Sequence, residues 1–175
     1  LLFLAMEQCN NEAMNDPCNC EGCTCKPSEM KSRSYTLTGT PGTDEGLDCS
    51  NVWEAVGSLT GEKTVLIKST VSPGTTDAIQ EAFPQHRVFF VPEFLSADTA
   101  VQDYAKPRRP TVVGISYGNF PATCDRLDGV IPPCVIDDLN RFQLLPARQA
   151  ELLKLATNAF YAFKVAFANQ CFDVG

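Results

Sequence analysis

Val65-Leu-Ile-Lys-Ser-Thr-Val-Ser-Pro-Gly-Thr-Thr76 begins as a short β-forming run, turns through Pro73 and Gly74, and enters a helical pattern carried by Ala78, Ile79 and Phe83. Thr75 and Thr76 read as the N-cap of that helix. Arg87-Val-Phe-Phe-Val-Pro-Glu-Phe-Leu95 is a second apolar strand, and it delivers Glu93 just past its end. Strand 64–68, helix 75–83, strand 87–91, a loop with a short turn to Tyr104, and strand 111–115 alternate as parallel α/β sheets do. In such sheets the carboxyl ends of the strands are where ligands bind, which draws attention to Thr70 and Glu93. Upstream, residues 35–38 read as a strand. Residues 48–59 read as a helix opened by Asp48 or Ser50, with Val52, Trp53, Val56 and Leu59 on one face. Downstream, a helix over 117–127 is weakened by Pro121, and residues 130–135 with Pro132 and Pro133 suit an irregular or edge segment. Residues 137–146 read as a polar link.

Pro146 suits the first turn of a long final helix. In it, Leu152, Leu155, Ala156, Ala159, Phe160, Phe163, Ala166 and Phe167 recur at helical spacing, so most of this surface calls for burial. Lys154 and Asn158, four residues apart, share a face of the same helix. A buried ammonium and carboxamide need partners. Two readings stand side by side: both groups aim at an anion that develops during a reaction, or the lysine snorkels to water beside an asparagine that satisfies a loop.

Composition bounds the rest. With 175 residues, 44% hydrophobic and 20% charged, the chain is large enough for one globular core. A net charge of -7 without a Lys/Arg cluster disfavours nucleic acid and anionic membrane as partners, and Lys106-Pro-Arg-Arg109 reads as a solvated turn. No apolar run is long enough for a transmembrane helix. Leu1-Leu-Phe-Leu-Ala-Met6 lacks the basic flank of a signal peptide and fits a buried strand or the remnant of something longer. His86, beside Pro84 and Gln85, reads as a surface-loop residue.

Residues 1–34 form a Cys-rich segment. Cys18, Cys20, Cys23 and Cys25 lie within eight residues, in a stretch rich in Asn, Glu and Pro that cannot be a core. Thiolates this close suit zinc or another soft metal. Only Cys20 and Cys23 have the common knuckle spacing, so disulfides and unligated thiols remain alternatives. With nine cysteines, at least one is unpaired within the chain. Cys49, Cys124, Cys134 and Cys171 are scattered and read as small buried residues.

Three motifs, Lys68-Ser-Thr-Val-Ser-Pro-Gly-Thr-Thr76, Pro92-Glu-Phe-Leu95 with Thr99-Ala-Val101, and Glu151-Leu-Leu-Lys154 with Asn158-Ala-Phe160, resemble those of the UDP-glucose and GDP-mannose 6-dehydrogenase family. Gly39-Thr-Pro41 followed by Asp48-Cys-Ser-Asn-Val52 is a weaker fourth match. The resemblance spans residues 35–175. It implies an α/β fold containing part of a doubly wound, Rossmann-like parallel sheet (residues 35–145), then a central dimerisation helix (146–175). It further implies NAD as cofactor, a nucleotide sugar oxidised at C6 to the uronate through a thioester, a homo-oligomer or larger assembly joined through the final helix, and a cytoplasmic location. Residue by residue, Glu93 matches the glutamate that handles water and protons, Lys154 the lysine that steadies the oxyanion, Asn158 the amide beside it, and Thr70 the hydroxyl that orients a catalytic water.

Two family features are missing from this sequence. No G-x-G-x-x-G turn is present, since Gly39, Gly42 and Gly46 have the wrong spacing. The nucleophilic cysteine of the family's second nucleotide-binding domain is absent too, and Cys171, seventeen residues past Lys154 on one helix, lies about 25 Å away along the axis. The expectation is a homologue or segment of such a dehydrogenase that is not competent alone. The alternative is a non-catalytic structural subunit with a metal-binding Cys-rich contact, or a bare metal-binding or redox module.

Overall fold

A computed structural model describes residues 38–94, 110–116 and 142–174. A two-residue hairpin, β1 (Gly42–Thr43) with β2 (Gly46–Leu47), precedes helix α1 (Ser50–Gly57). Strand β3 (Thr64–Ile67), helix α2 (Thr75–Ala82) and strand β4 (Arg87–Phe90) make a β-α-β unit, and β5 (Thr111–Ile115), β6 (Phe142–Pro146) and helix α3 (Ala147–Val174) complete the order. Four strands form one sheet in the order β3-β4-β5-β6.

The chain is α/β, as its alternating pattern implies, but the sheet is mixed. β3 runs parallel to β4, with Thr64 opposite Arg87 and Ile67 opposite Phe90, and β5 runs parallel to β6 from Thr111 opposite Phe142 to Ile115 opposite Pro146. Between these halves β4 and β5 are antiparallel, meeting at Phe89–Ile115 and Phe90–Gly114. The expected single parallel run is therefore corrected. A buried strand has the same apolar pattern in either direction, so residue pattern cannot report which way β5 points.

β6 corrects a second expectation, because its Phe142-Gln-Leu-Leu-Pro146 lies in what reads as a polar link. Pro146 ends the strand, and α3 starts one residue later at Ala147. α2 is capped by Gly74, at φ 100°, instead of by a threonine. At α1 the Ser50 amide donates to Asp48 Oδ1 at 2.9 Å, and hydrogen bonds from the Ser50 side chain and backbone hold the exposed Asp48 carboxyl below its usual range.

Successive strand residues face opposite sides, and the core divides accordingly. Val88 and Phe90 pack with Ile67, Val52, Val56 and Ile79 on the side that carries α1 and α2. Phe89 and Val91 pack with Val113 and Ile115 on the other. α3 closes onto the first side at Ala150, above Gly114 of β5. A Cβ on Gly114 would stand 2.9 Å from Ala150 Cβ, 3.0 Å from Ala147 Cα and 3.1 Å from Phe90 Cβ, two of these on the helix itself. The glycine lets helix and sheet approach that closely.

Beyond this seat the helix does the opposite of what its sequence suggests. Its buried residues are Ala147, Ala150, Glu151 and Lys154, whereas Leu152, Phe160, Phe163 and Phe167 are 57–65% exposed. Among the described residues, the apolar stripe that calls for burial has no cover.

Gly114→Ala is expected to destabilise the fold by about 1–3 kcal/mol, because the added methyl must lift α3 from the sheet. Chemical unfolding would measure it, and a stability gain, the usual result of removing a strand glycine, would contradict this seat for α3.

Candidate functional site

The site is assembled at the carboxyl ends of β3 and β4. Lys68, Ser69 and Thr70 follow β3 directly, and the Val91 amide donates to Ile67 O at 2.8 Å, so both strands leave the sheet together. The turn after β3 is held against the segment preceding β1 by hydroxyls. Thr40 Oγ1 donates to Thr70 O at 2.5 Å, and Ser69 Oγ donates to Thr38 O at 3.0 Å. Thr70 is itself buried, and its Oγ1 has no hydrogen-bond partner. A buried hydroxyl left in that state costs about 1–3 kcal/mol.

The turn then meets α3. Glu151 is fully buried and accepts three hydrogen bonds from the start of α2: Gly74 N at 2.5 Å, Thr76 N at 2.8 Å and Thr76 Oγ1 at 2.6 Å. These amides have no partner within α2, and the helix dipole favours an anion beside them. Gly74 is called for by its positive φ, while a Cβ there would come 3.0 Å from Arg148 Nη2, the end of a flexible side chain that can give way. Thr75 Oγ1 turns back to Ser72 O at 2.7 Å.

One helical turn past Glu151, on the same face, Lys154 reaches the loop after β4. Its Nζ donates to the main-chain carbonyl of Glu93 and lies 3.2 Å from Glu93 Oε1, with side-chain exposures of 7% for the lysine and 28% for the glutamate. The ammonium also sits 5.3 Å from the centroid of the Phe94 ring, a cation–π distance. Thus the lysine does not snorkel to solvent. Lys68 is the third ionisable group here. Surrounding protein desolvates its ammonium and lowers its pKa, the Glu93 charge opposes that shift and the Lys154 charge adds to it. Because Lys68 keeps an exposed surface, solvent screens part of these effects.

The structure brings Glu93 and Lys154 into contact and puts Thr70 at the end of the neighbouring strand. Asn158 is exposed, a further turn along α3. Sequence reasoning passed over Glu151 and Lys68 as individual residues. The signal for Glu151 was its spacing of three from Lys154, which puts both on one face. His86 is corrected. It is 1% exposed, stacked on Phe83 with centroids 6.2 Å apart, and neither ring nitrogen has a hydrogen-bond partner. Cys171 is exposed instead of buried, and Cys49 is half-buried. Cys18, Cys20, Cys23 and Cys25, with Cys124 and Cys134, lie outside the described residues, among which no cluster of metal-ligating side chains occurs.

No protein-family model matches the chain. It is 32% identical over 152 residues to the UDP-glucose 6-dehydrogenase of Rhizobium meliloti, a match covering 80% of this chain and 34% of that protein. Against the GDP-mannose 6-dehydrogenase of Pseudomonas putida it is 29% identical over 156 residues, covering 78% and 34%. Among solved structures, the UDP-glucose dehydrogenase of the archaeon Pyrobaculum islandicum superimposes with a TM-score of 0.59 at 29% identity, covering 76% of this chain and 32% of that one. The GDP-mannose dehydrogenase of Pseudomonas aeruginosa gives 0.57 at 28% identity, covering 76% and 33%. The chain belongs to the UDP-glucose/GDP-mannose 6-dehydrogenase family. It spans about a third of the length of the curated relatives it matches.

Replacing Glu151 by alanine strands two amides and a hydroxyl in the core. Glu151→Ala is expected to cost about 2–4 kcal/mol in unfolding free energy. Loss of amide-exchange protection should appear first at residues 74–76, and protection there equal to the parent's would show that another group holds the α2 terminus.

Proposed function

We propose that this chain supplies the oxyanion-stabilising part of a nucleotide-sugar 6-dehydrogenase active site. The observation that supports the reading most directly is the contact between buried Lys154 and Glu93, with the partnerless buried hydroxyl of Thr70 past the end of the neighbouring strand β3. Lys154 is fixed by a carbonyl, a carboxylate and a ring face, so its charge needs little reorganisation when negative charge develops nearby. Glu93, which is partly exposed, can exchange a proton with water, and the Thr70 hydroxyl can orient that water. Asn158 adds its amide if the substrate extends along α3. The substrate is of the UDP-glucose or GDP-mannose type, by kinship with the relatives named above.

NAD is the cofactor that kinship suggests, and the described residues do not fit its pyrophosphate. That group needs free amides at a helix N-terminus. Here α2's first-turn amides are bound by Glu151, and the Ser50 amide of α1 by Asp48. The hydride-accepting cofactor therefore has to be held by other sequence. Accordingly, a polypeptide limited to these 175 residues is expected to reduce no NAD with UDP-glucose or GDP-mannose, and measurable Lys154-dependent reduction would overturn that expectation. In the longest polypeptide carrying this segment, Lys154→Ala is expected to lower kcat by about 10²–10³. Unchanged turnover would remove the catalytic reading.

One observation favours an additional or alternative role as a structural subunit. Phe160, Phe163 and Phe167 are each 60–65% exposed on the free-standing part of α3, and burying such a side chain fully contributes about 1.5–3 kcal/mol. Phe163 and Phe167 already stack, with ring centroids 6.2 Å apart, which presents a preformed apolar ridge. The proposed partner is a second copy of the chain, joined helix to helix. Light scattering should find an oligomer that Phe163→Glu dissociates, whereas a stable soluble monomer of the parent chain would refute this docking role. A metal held by the Cys18, Cys20, Cys23 and Cys25 cluster remains a proposal from spacing alone.

A further inference from the structure

We propose that Glu151 is a positioning residue of the site: by gripping the start of α2 it sets the rotation of α3 about its axis, and with it the point at which Lys154 meets Glu93. Glu151 is 0% exposed, so it acts through Lys154 and not on a bound molecule.

Packing alone leaves that rotation weakly defined. α3 rests on the sheet through Ala147 and Ala150, which lie against Gly114. Contacts of this kind fix how near the helix comes, but dispersion between small groups has little direction. Hydrogen bonds do have direction, and both carboxyl oxygens of Glu151 are engaged. Oε2 accepts from the Gly74 amide at 2.5 Å, and Oε1 accepts from the Thr76 amide at 2.8 Å and the Thr76 hydroxyl at 2.6 Å. The Thr75 amide between them goes to Ser72 O at 3.1 Å, so each of these successive amides has its acceptor. Held through both oxygens by amides on one helix end, the carboxyl group cannot pivot without losing a bond.

Lys154 inherits this orientation, being three residues further on the same face. Its Nζ meets the Glu93 carbonyl, lies 3.2 Å from Glu93 Oε1 and stands 5.3 Å from the Phe94 ring centroid. The buried residues of α3 are Ala147, Ala150, Glu151 and Lys154, so nothing further along the described helix corrects its angle. The lysine stem could follow a rotation only by leaving the packing that keeps the residue 5% exposed. At its other end the same carboxyl group holds Gly74, four residues after Thr70, and so steadies the turn that carries that hydroxyl. The effect of Glu151 on turnover rests on the active-site reading above, whereas its effect on where Lys154 sits does not.

The test compares Glu151→Gln with the parent. The side chain keeps its shape, but one acceptor oxygen becomes a donor, so in either orientation an α2 amide loses its acceptor. Competitive labelling of the full chain with limiting acetic anhydride, then unfolding and complete labelling with the deuterated reagent, gives each lysine's reactivity by mass spectrometry. Relative to exposed Lys63, Lys154 is expected to label about threefold or more faster in Glu151→Gln than in the parent. In the longest polypeptide carrying this segment, kcat should fall about 10–100-fold with KM changed by less than about twofold. Val113→Ala, which opens the core on the opposite side of the sheet, controls for lost stability and should leave Lys154 labelling at the parent level. Thr76→Val removes the hydroxyl bond alone and should act in the same sense as Glu151→Gln but less; it carries the test if Glu151→Gln does not fold. Parent-level labelling of Lys154 in the folded variant, or equal acceleration in Val113→Ala, would overturn the proposal, because Glu151 would then only cap α2. Accelerated labelling with unchanged kcat, both here and in Lys154→Ala, would support the placement and refute the active-site reading instead.

Discussion

A fully buried carboxylate holds the start of α2 against α3. Glu151 is fully buried, and its partners are backbone amides and a hydroxyl at the start of α2, 75 and 77 residues earlier in the chain. An isolated buried carboxyl group is costly, so the three hydrogen bonds and the α2 dipole must act together. Their directionality sets the rotation of α3 about its own axis. With Glu151 fixed, Lys154 lies a turn further on the same face and is carried to the loop after β4. A one-residue slip would swing the lysine by roughly 100° and leave Glu93 without it. The packing of α3 and the placement of Lys154 therefore depend on the same contact.

The same constraint explains why α3 buries charge and exposes hydrocarbon. Glu151 and Lys154 are two of its four buried residues, and both are satisfied by loops that the parallel β3–β4 pair projects from one end. Gly114 allows the approach, because side-chain atoms there would occupy the space taken by Ala147 and Ala150. After Lys154 the helix has no further buried residue, and its large aromatic side chains stay 45–86% exposed even where Phe163 stacks on Phe167. An amphipathic helix with its polar groups inward and its apolar groups outward is stable when another surface completes it.

Much of the architecture was readable because it depends on local pattern. Residues 111–115 were delimited as found, α1 and α2 to within two residues, and the strand ends at Thr70 and Glu93 followed from short apolar runs bounded by turn residues. What escaped depends on tertiary contact. The direction of β5, antiparallel to β4, leaves no mark on Thr111-Val-Val-Gly-Ile115. β6 is five residues ending in proline, too short and too mixed to stand out from a link. His86 sits between polar neighbours in sequence, yet Gln80 draws its backbone inward by bridging His86 O at 2.8 Å and the Val88 amide at 2.9 Å. For the site, Lys154 and Glu93 were visible through family motifs, whereas the need for Glu151 appears only when α2 and α3 are seen end to side.

The location of the anion-binding capacity separates support from chemistry in this segment. A helix terminus with free amides is the common device for holding a phosphate. At α2 that device is already engaged by a carboxylate from the same chain, in a geometry that also fixes Gly74 and the turn from Thr70. Negative charge arriving at this end of the sheet meets side-chain cations instead, Lys154 held rigidly and Lys68 at the surface. A side chain can move and can donate or yield a proton, whereas a backbone amide is fixed in place and donates its single hydrogen bond. A dinucleotide's pyrophosphate would therefore find the described α2 terminus already taken and would have to be gripped elsewhere.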